Sequence, residues 1–289
     1  MKKFASFFAV FLFITLFAVA SEAGDRNIPV EVAQLTDSLK KQFAPDRRVA
    51  LLDVDYSFSD KNVMLRGVTT SAEAKNVLLK ELARKGYAVM DCLELLPDVK
   101  GLEGKTCGII NVSVANMRVA PDFSSEMMTQ SLMGMPVRVL QRDGWVRIQT
   151  PDNYIAWVHR VGVHPVTEEE MAAWNKAEKI VVTAHYGFVY SEPNQTSQTV
   201  SDVVAGNRLK WEGSKGAFYK VTYPDGRRGY ISKSIAMPEK KWRSGLQQDP
   251  YGTHHDGNTL SLGGNFIERR GLQRIHAYHT FYARHHYTT

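Results

Sequence analysis

The chain has 289 residues, 44% of them hydrophobic and 23% charged, with two cysteines and a formal net charge of +6. That composition excludes a wholly disordered chain, the length suits two or three units of ordinary size, and two cysteines exclude a disulfide-framework mini-protein and a four-cysteine zinc module. The charge belongs mainly to the ends, because residues 21–250 carry only +2; a nearly neutral body without a basic stripe or stacking motif excludes nucleic acid as a partner.

Met1-Lys2-Lys3 is a positive n-region, Phe4 to Val19 is nearly all apolar, and Ala18-Val19-Ala20 is a small-x-small cleavage site. Residues 1–20 therefore read as an export signal that is removed. The apolar run is short for a span of about 20 residues, and no later segment could cross a membrane as a helix, so no membrane anchor is expected after cleavage. The mature chain is expected in the periplasm or cell envelope. A disulfide between Cys92 and Cys107 is chemically allowed there; two reduced, partly buried thiols are the alternative.

Residues 25–107 read as a small α+β unit. Val32, Leu35, Leu39 and Phe43 recur at helical spacing, and Ala74, Val77, Leu78 and Leu82 share the face of a second helix ending near Gly86. Between them, Arg48 to Phe58 and Asn62 to Gly67 read as strands around a Ser59-Asp60-Lys61 turn, and Tyr87 to Leu95 returns as a third strand.

Two units then repeat. From Trp145 to Pro151 to Trp157 the steps are six and six, and from Phe218 to Pro224 to Tyr230 they are the same. Pro151-Asp152-Asn153 and Pro224-Asp225-Gly226 have the residues of a tight turn: Pro presets φ, Asp bonds the turn backbone, and Asn or Gly tolerates positive φ. Apolar and polar residues alternate on both sides, so each repeat, 109–165 and 180–237, is expected to be a small β-barrel of about five short strands. Residues 166–179 between them read as a helical linker opened by a capping box of Thr167 and Glu170. Residues 238–250 read as a second linker. The whole is mainly β, with a small α+β N-terminal unit and a C-terminal tail, 251–289, expected to be disordered.

The strings N-M-R-V-A-P, S-L-M-G-M-P-V-R-V-L, G-W-V-R-I and D-N-Y-I-A-W-V, over residues 116–158, resemble a bacterial SH3-like domain, and the second copy keeps the same frame. A tandem of such domains behind an export signal resembles the front half of NlpC-type cysteine peptidases, whose multidomain members are γ-D-glutamyl-L-diamino-acid endopeptidases acting on wall peptides. The resemblance implies peptidoglycan stem peptides as partners, and a catalytic domain or enzyme docked on the first SH3-like domain. It also implies that this domain helps to recognise the free amine of the peptide's N-terminal alanine, for which a carboxylate with aromatic or hydroxyl partners is needed. The matching segments place Glu126 as the carboxylate, Tyr154 as the phenol and Trp157 as a wall. A solvated turn glutamate and a core tryptophan plugging the small barrel are the alternatives.

Such a peptidase needs a thiolate, a histidine base and a group orienting it, and the family carries its cysteine in D-C-S-G. That motif is absent here; Cys92 and Cys107 lie in ordinary strand-like sequence, so no catalytic residue, cofactor or metal is assigned. Residues 251–289 lack periodicity and hold six of the nine histidines. A metal-binding tail using His276-x-x-His279 is one explanation. Displaced reading frame is the other: one base later, with ordinary codon choices, Gly257 to Ile275 reads G-I-P-Y-L-W-G-G-T-S-S-K-G-V-D-C-S-G-F, which resembles the entry to the NlpC-type catalytic domain with its nucleophile motif. The parent is then a wall-peptide endopeptidase, and this chain is its non-catalytic portion, expected inactive. The alternative is a genuine SH3-like adaptor that docks on peptidoglycan or on a separate enzyme.

Overall fold

A computed structural model describes residues 29–248; the expected export signal and histidine-rich tail lie outside them. The chain divides into two compact units, one up to Leu96 and one from Pro97.

The first unit is built in the expected order: α1 (Val30–Phe43), β1 (Leu52–Ser59), β2 (Asn62–Thr69), α2 (Ala72–Arg84) and β3 (Ala88–Leu95). β1 and β2 form an antiparallel hairpin, and α2 carries the chain over to β3, which runs parallel to β2. The Ser71 hydroxyl starts α2 by accepting the Ala74 N–H at 3.1 Å. Val32 and Leu39 of α1, and Ala74, Leu78 and Leu82 of α2, are buried against Val63, Leu65 and Leu93 of the sheet. The apolar stripes read at helical spacing are the faces that the core buries.

The second unit contains the repeat. The first copy is β4 (Cys107–Ile110), β5 (Val114–Arg118), β6 (Met127–Leu132), β7 (Pro136–Asp143), β8 (Trp145–Gln149), β9 (Ile155–His159) and β10 (Val163–Val166). The second copy is β11 (Lys179–Val182), β12 (Tyr186–Tyr190), β13 (Thr199–Val204), β14 (Arg208–Lys215), β15 (Phe218–Thr222), β16 (Arg228–Ser232) and β17 (Ala236–Pro238). Each copy is a seven-stranded antiparallel sheet, ordered β10-β4-β7-β8-β9-β5-β6 and, equivalently, β17-β11-β14-β15-β16-β12-β13. Register breaks fall at matching places, between Val139 and Gln141 in β7 and between Trp211 and Gly213 in β14. The two predicted turns bring Asn153 to φ 67 and Gly226 to φ 86.

Three details differ from expectation. Each copy has seven strands rather than about five, because β4 and β10, and likewise β11 and β17, pair beside the barrel strands. Cys107 consequently belongs to the second unit, in register with Arg138 of β7, and the first unit ends at Leu96 rather than at residue 107. The segment 238–250, read as a linker, is helical over Glu239–Gln248 (α4). The Glu239 carboxylate at its start is held by Arg208 of β14 at 3.0 Å and by Arg243 one turn later at 2.8 Å.

Between the copies stands α3 (Glu168–Lys176), with the capping box in place: Thr167 Oγ1 accepts the Glu170 N–H, and the Glu170 carboxylate accepts the Thr167 N–H. Met171 and Trp174 pack on Ile109 and Val166 of the first copy. At the other end the buried Lys179 ammonium donates to the carbonyls of Trp174, Asn175 and Ala177, around a helix end whose last carbonyls lack the N–H groups of a following turn. Burial pushes Lys179 down to about 8, opposed by the Glu239 charge.

The copies interlock. Met133, after β6, is fully buried in the core of the second copy with Ile180, Leu209 and Val221. Its carbonyl accepts the Arg208 N–H at 3.0 Å, and the next carbonyl, of Gly134, accepts the Trp174 indole N–H at 3.3 Å. The β4–β5 loop completes the seam: Asn111 donates to Asp225 at 3.0 Å, Ser113 donates to Asp202 at 2.7 Å, and Asn207 donates to the Ser113 carbonyl at 2.8 Å.

Candidate functional site

The most elaborated surface of the first copy is the loop between β5 and β6. The Asp122 carboxylate accepts both the backbone N–H and the hydroxyl of Ser124, which holds it below the usual carboxylate range. Ser125 Oγ accepts the Ala120 N–H at 3.0 Å, and the Glu126 carbonyl accepts the Val119 N–H at 3.1 Å. Arg118 fastens the loop from below through its guanidinium on the Ser125 carbonyl. A charged residue at the end of such a loop has a backbone with little conformational freedom left to lose.

Glu126 is that residue, exposed immediately before β6. Tyr154 is half-buried one residue before β9, where its backbone closes the predicted turn by bonding Thr150 in both directions. Trp157 lies on β9 opposite Arg118 of β5, which is opposite Met127 of β6. One row across three strands thus leads from Trp157 to the neighbour of Glu126, a separation of two strand spacings, or about 10 Å. Tyr154 stands three residues from that row along β9.

Trp157 does not plug the barrel. Ala156 and Val158 point into the core, so Trp157 faces outward, half-buried, with the Arg147 guanidinium 5.2 Å from its ring. Met117, Met135 and Ile148 fill the space that the alternative gave to a tryptophan.

A groove that the sequence reading missed adjoins this row. Trp145 and His159 are opposite residues on β8 and β9, with rings 5.3 Å apart, and Phe123 from the loop covers both at 4.9 and 5.1 Å. Together with Arg118, Asn116 and Val161 these rings bound about 190 Å3. Phe123 is 67% exposed and Val161 60%, and Val119 and Met127 are exposed nearby, an apolar rim that costs hydration without serving the core.

The second copy keeps the loop and changes its chemistry. Asn194 Oδ1 accepts the Thr196 N–H, Ser197 Oγ accepts the Glu192 N–H, and the Gln198 carbonyl accepts the Ser191 N–H, bond for bond as in the first copy. Gln198 stands where Glu126 stands, Tyr190 where Arg118 stands, and Tyr230 where Trp157 stands. The carboxylate and the guanidinium are therefore features of the first copy.

Cys92 is exposed on β3 of the first unit and Cys107 is half-buried on β4 of the second, each with a free thiol. Burial, and after it the Glu168 charge, pushes the Cys107 thiol up, away from the thiolate that chemistry needs. Among the described residues no three His, Cys, Asp or Glu side chains gather as metal ligands, and no helix is long and apolar enough to cross a membrane; His276 and His279 lie outside those residues.

No curated protein matches the chain. Among solved structures it is similar to an NlpC/P60 family protein from Bacillus cereus, at 20% identity and a TM-score of 0.39, over 45% of this chain and 55% of that one. It is similar also to an NlpC/P60 endopeptidase from Photobacterium damselae subsp. piscicida, at 12% identity and a TM-score of 0.36, over 75% of this chain and 49% of that one. The chain spans about half the length of these structures. Residues 117–161 match the bacterial dipeptidyl-peptidase Sh3 domain and residues 185–235 the bacterial SH3 domain, so the chain carries two bacterial SH3 domains in tandem.

Proposed function

We propose that these residues are the non-catalytic, wall-peptide-recognising portion of an exported endopeptidase of peptidoglycan stem peptides, acting in the periplasm or cell envelope. The observation that carries this is Glu126: an exposed carboxylate on a loop fixed by five hydrogen bonds, next to an outward tryptophan row, in the copy that matches the dipeptidyl-peptidase Sh3 domain. A carboxylate so held suits the α-ammonium of a short peptide, with Trp157 about two strand spacings away across the row and Tyr154 three residues from it along the chain. Arg118 acts as a positioning residue through Ser125.

Titration calorimetry tests this with the tripeptide L-Ala-γ-D-Glu-diamino acid, free and N-acetylated. The free amine is expected to bind and the acetylated peptide not to. Glu126→Gln is expected to weaken binding tenfold or more, as for a charge-assisted hydrogen bond of about 1.5–3 kcal/mol. Equal binding of both peptides, or an unaffected variant, overturns the assignment.

Loss of peptidase activity from this chain belongs to the same proposal, with residues 251–289 as out-of-frame sequence. Resequencing the gene around the codons for Asp249 and Pro250 checks it: an open frame holding D-C-S-G is expected, and early stops in the +1 frame overturn it. The exposed apolar rim of Val119, Phe123, Met127 and Val161 favours a second role for the first domain, as the seat of an enzyme domain.

A further inference from the structure

Each SH3 domain is followed by a helix packed at the corresponding place on its sheet, α3 on β4 and α4 on β11 and β17. The two helices are held by opposite chemistry. The register of β4 with β7 and β10 matches that of β11 with β14 and β17, which sets Cys107, Pro136 and Val166 of the first copy against Lys179, Arg208 and Glu239 of the second. In the first copy Cys107 and Val166 are an apolar seat for Met171 and Trp174 of α3. In the second the seat of α4 is ionic: Glu239 is held by Arg208 at 3.0 Å and by Arg243 at 2.8 Å, and Lys240 reaches Glu178. The repeat therefore does not require charges at these positions.

The ionic seat is joined to the seam between the domains. Arg208 acts twice, since its side chain holds Glu239 while its backbone N–H donates to the Met133 carbonyl of the first domain at 3.0 Å. A second route returns from the neighbouring residue. The Gly134 carbonyl accepts the Trp174 indole N–H, the Trp174 carbonyl accepts the Lys179 ammonium, and the Glu239 charge opposes the cost of burying that ammonium. These contacts close a ring through Met133–Gly134, Arg208, Glu239, Lys179 and Trp174, which takes in both domains and both helices.

An ionic seat releases its helix more readily than an apolar one. Opening an apolar contact exposes hydrocarbon to water, whereas separating a nearly buried ion pair returns both charges to the hydration they lost on docking. Such a pair is net favourable only in good geometry, and the first domain fixes the backbone of Arg208. We propose that α4 is a latch, its docking on the second domain coupled through Arg208 to the seating of the first domain on the second. The latch has two states, domains seated with α4 docked and domains unseated with α4 released. A ligand that favours the unseated arrangement releases α4. The proposal does not depend on what the first domain binds.

Hydrogen exchange of the full chain at neutral pH, read at the amides of Arg243 to Leu246, tests the latch. Met133→Ala is expected to speed exchange there by tenfold or more, while the amides of β15 keep their protection. Trp174→Phe removes the indole donor to Gly134 and is the milder variant, decisive if Met133→Ala does not fold; about fivefold is expected for one hydrogen bond. By reciprocity, Glu239→Gln is expected to speed exchange of the Arg208 amide, which is bonded to Met133. Glu239→Gln combined with a seam variant is expected to speed α4 exchange by less than the product of the two single effects, because either change alone already opens the latch. Unchanged α4 exchange in a folded seam variant, an unaffected Arg208 amide in Glu239→Gln, or effects that simply multiply each overturns the proposal.

Discussion

Gly134→Ala is expected to unlock the two SH3 domains and to destabilise the tandem by at least ~2 kcal/mol. Gly134 sits at φ 83, a conformation that costs an L-residue about 1–2 kcal/mol. A Cβ there would stand 2.4 Å from the Arg208 carbonyl oxygen and 2.7 Å from the Arg208 Cβ, across the domain seam. Since the nearest obstacle is backbone, the second domain has to move away. That movement breaks the Arg208 N–H bond to Met133 and withdraws Met133 from its pocket among Ile180, Leu209 and Val221. Met133→Ala is expected to act in the same direction by about 2–5 kcal/mol, the range for emptying a fully buried methionine site, without touching the first domain's own core cluster. Urea unfolding followed by tryptophan fluorescence reads both. The wild-type tandem is expected to unfold in one transition and Gly134→Ala in two, with the earlier midpoint lowered. One transition at the wild-type midpoint would show that the domains do not depend on this seam.

The seam holds the two copies in one arrangement. Two tethered but independent domains would offer their ligands an adjustable spacing, whereas Met133, the Trp174 indole and the three polar bonds from Asn111, Ser113 and Asn207 fix one geometry. Preorganisation of that kind raises the affinity for a ligand that spans both domains by lowering the entropy lost on binding.

Much of this fold is legible in the chain because its signals are local. The Pro-Asp-Asn and Pro-Asp-Gly turns, the capping box at Thr167 and the helical stripe from Ala74 to Leu82 each specify a short stretch, and each is where the pattern puts it. β4 and β11 escaped because Ile109–Ile110 and Lys179–Val182 are buried without alternation, so no period of two marks them as strands. α4 escaped because what holds its start is Arg208, far away in sequence. Trp157 was the opposite case: strict alternation with Ala156 and Val158 already pointed it outward, and its size was the misleading cue. At the candidate site, Glu126 stands out beside Gln198 once the copies are aligned. The convergence of Arg118, Phe123, Trp145 and His159 comes from sheet register and has no local signature.

Glu239→Gln is expected to destabilise the second domain by about 3 kcal/mol at neutral pH and to remove much of its sensitivity to acid. The Glu239 side chain is 13% exposed and that of Arg208 15%, so the variant breaks a nearly buried ion pair, a change that costs about 3–5 kcal/mol. Burial alone would raise the Glu239 carboxyl, but Arg208, Arg243 and Lys179 outweigh it and hold the group below the usual carboxylate range. Its folded pKa therefore lies below the unfolded one, so its contribution is complete above the unfolded value and is lost as pH falls through the folded value. Lys179 works in the same sense at the alkaline end. With its pKa at about 8 in the folded protein and 10.5 as the ordinary value, the folded state binds fewer protons between those limits, and stability rises with pH across that window. Removing the Glu239 charge also removes the attraction that supports the buried Lys179 ammonium, so the alkaline rise is expected to begin at lower pH in the variant. Thermal unfolding of wild type and Glu239→Gln from pH 3 to pH 10 measures all three effects. The two curves are expected to converge as the wild-type carboxyl protonates at low pH and to stand furthest apart near neutrality. A constant separation across the whole range would mean that Glu239 supports α4 by shape alone, with no contribution from its charge.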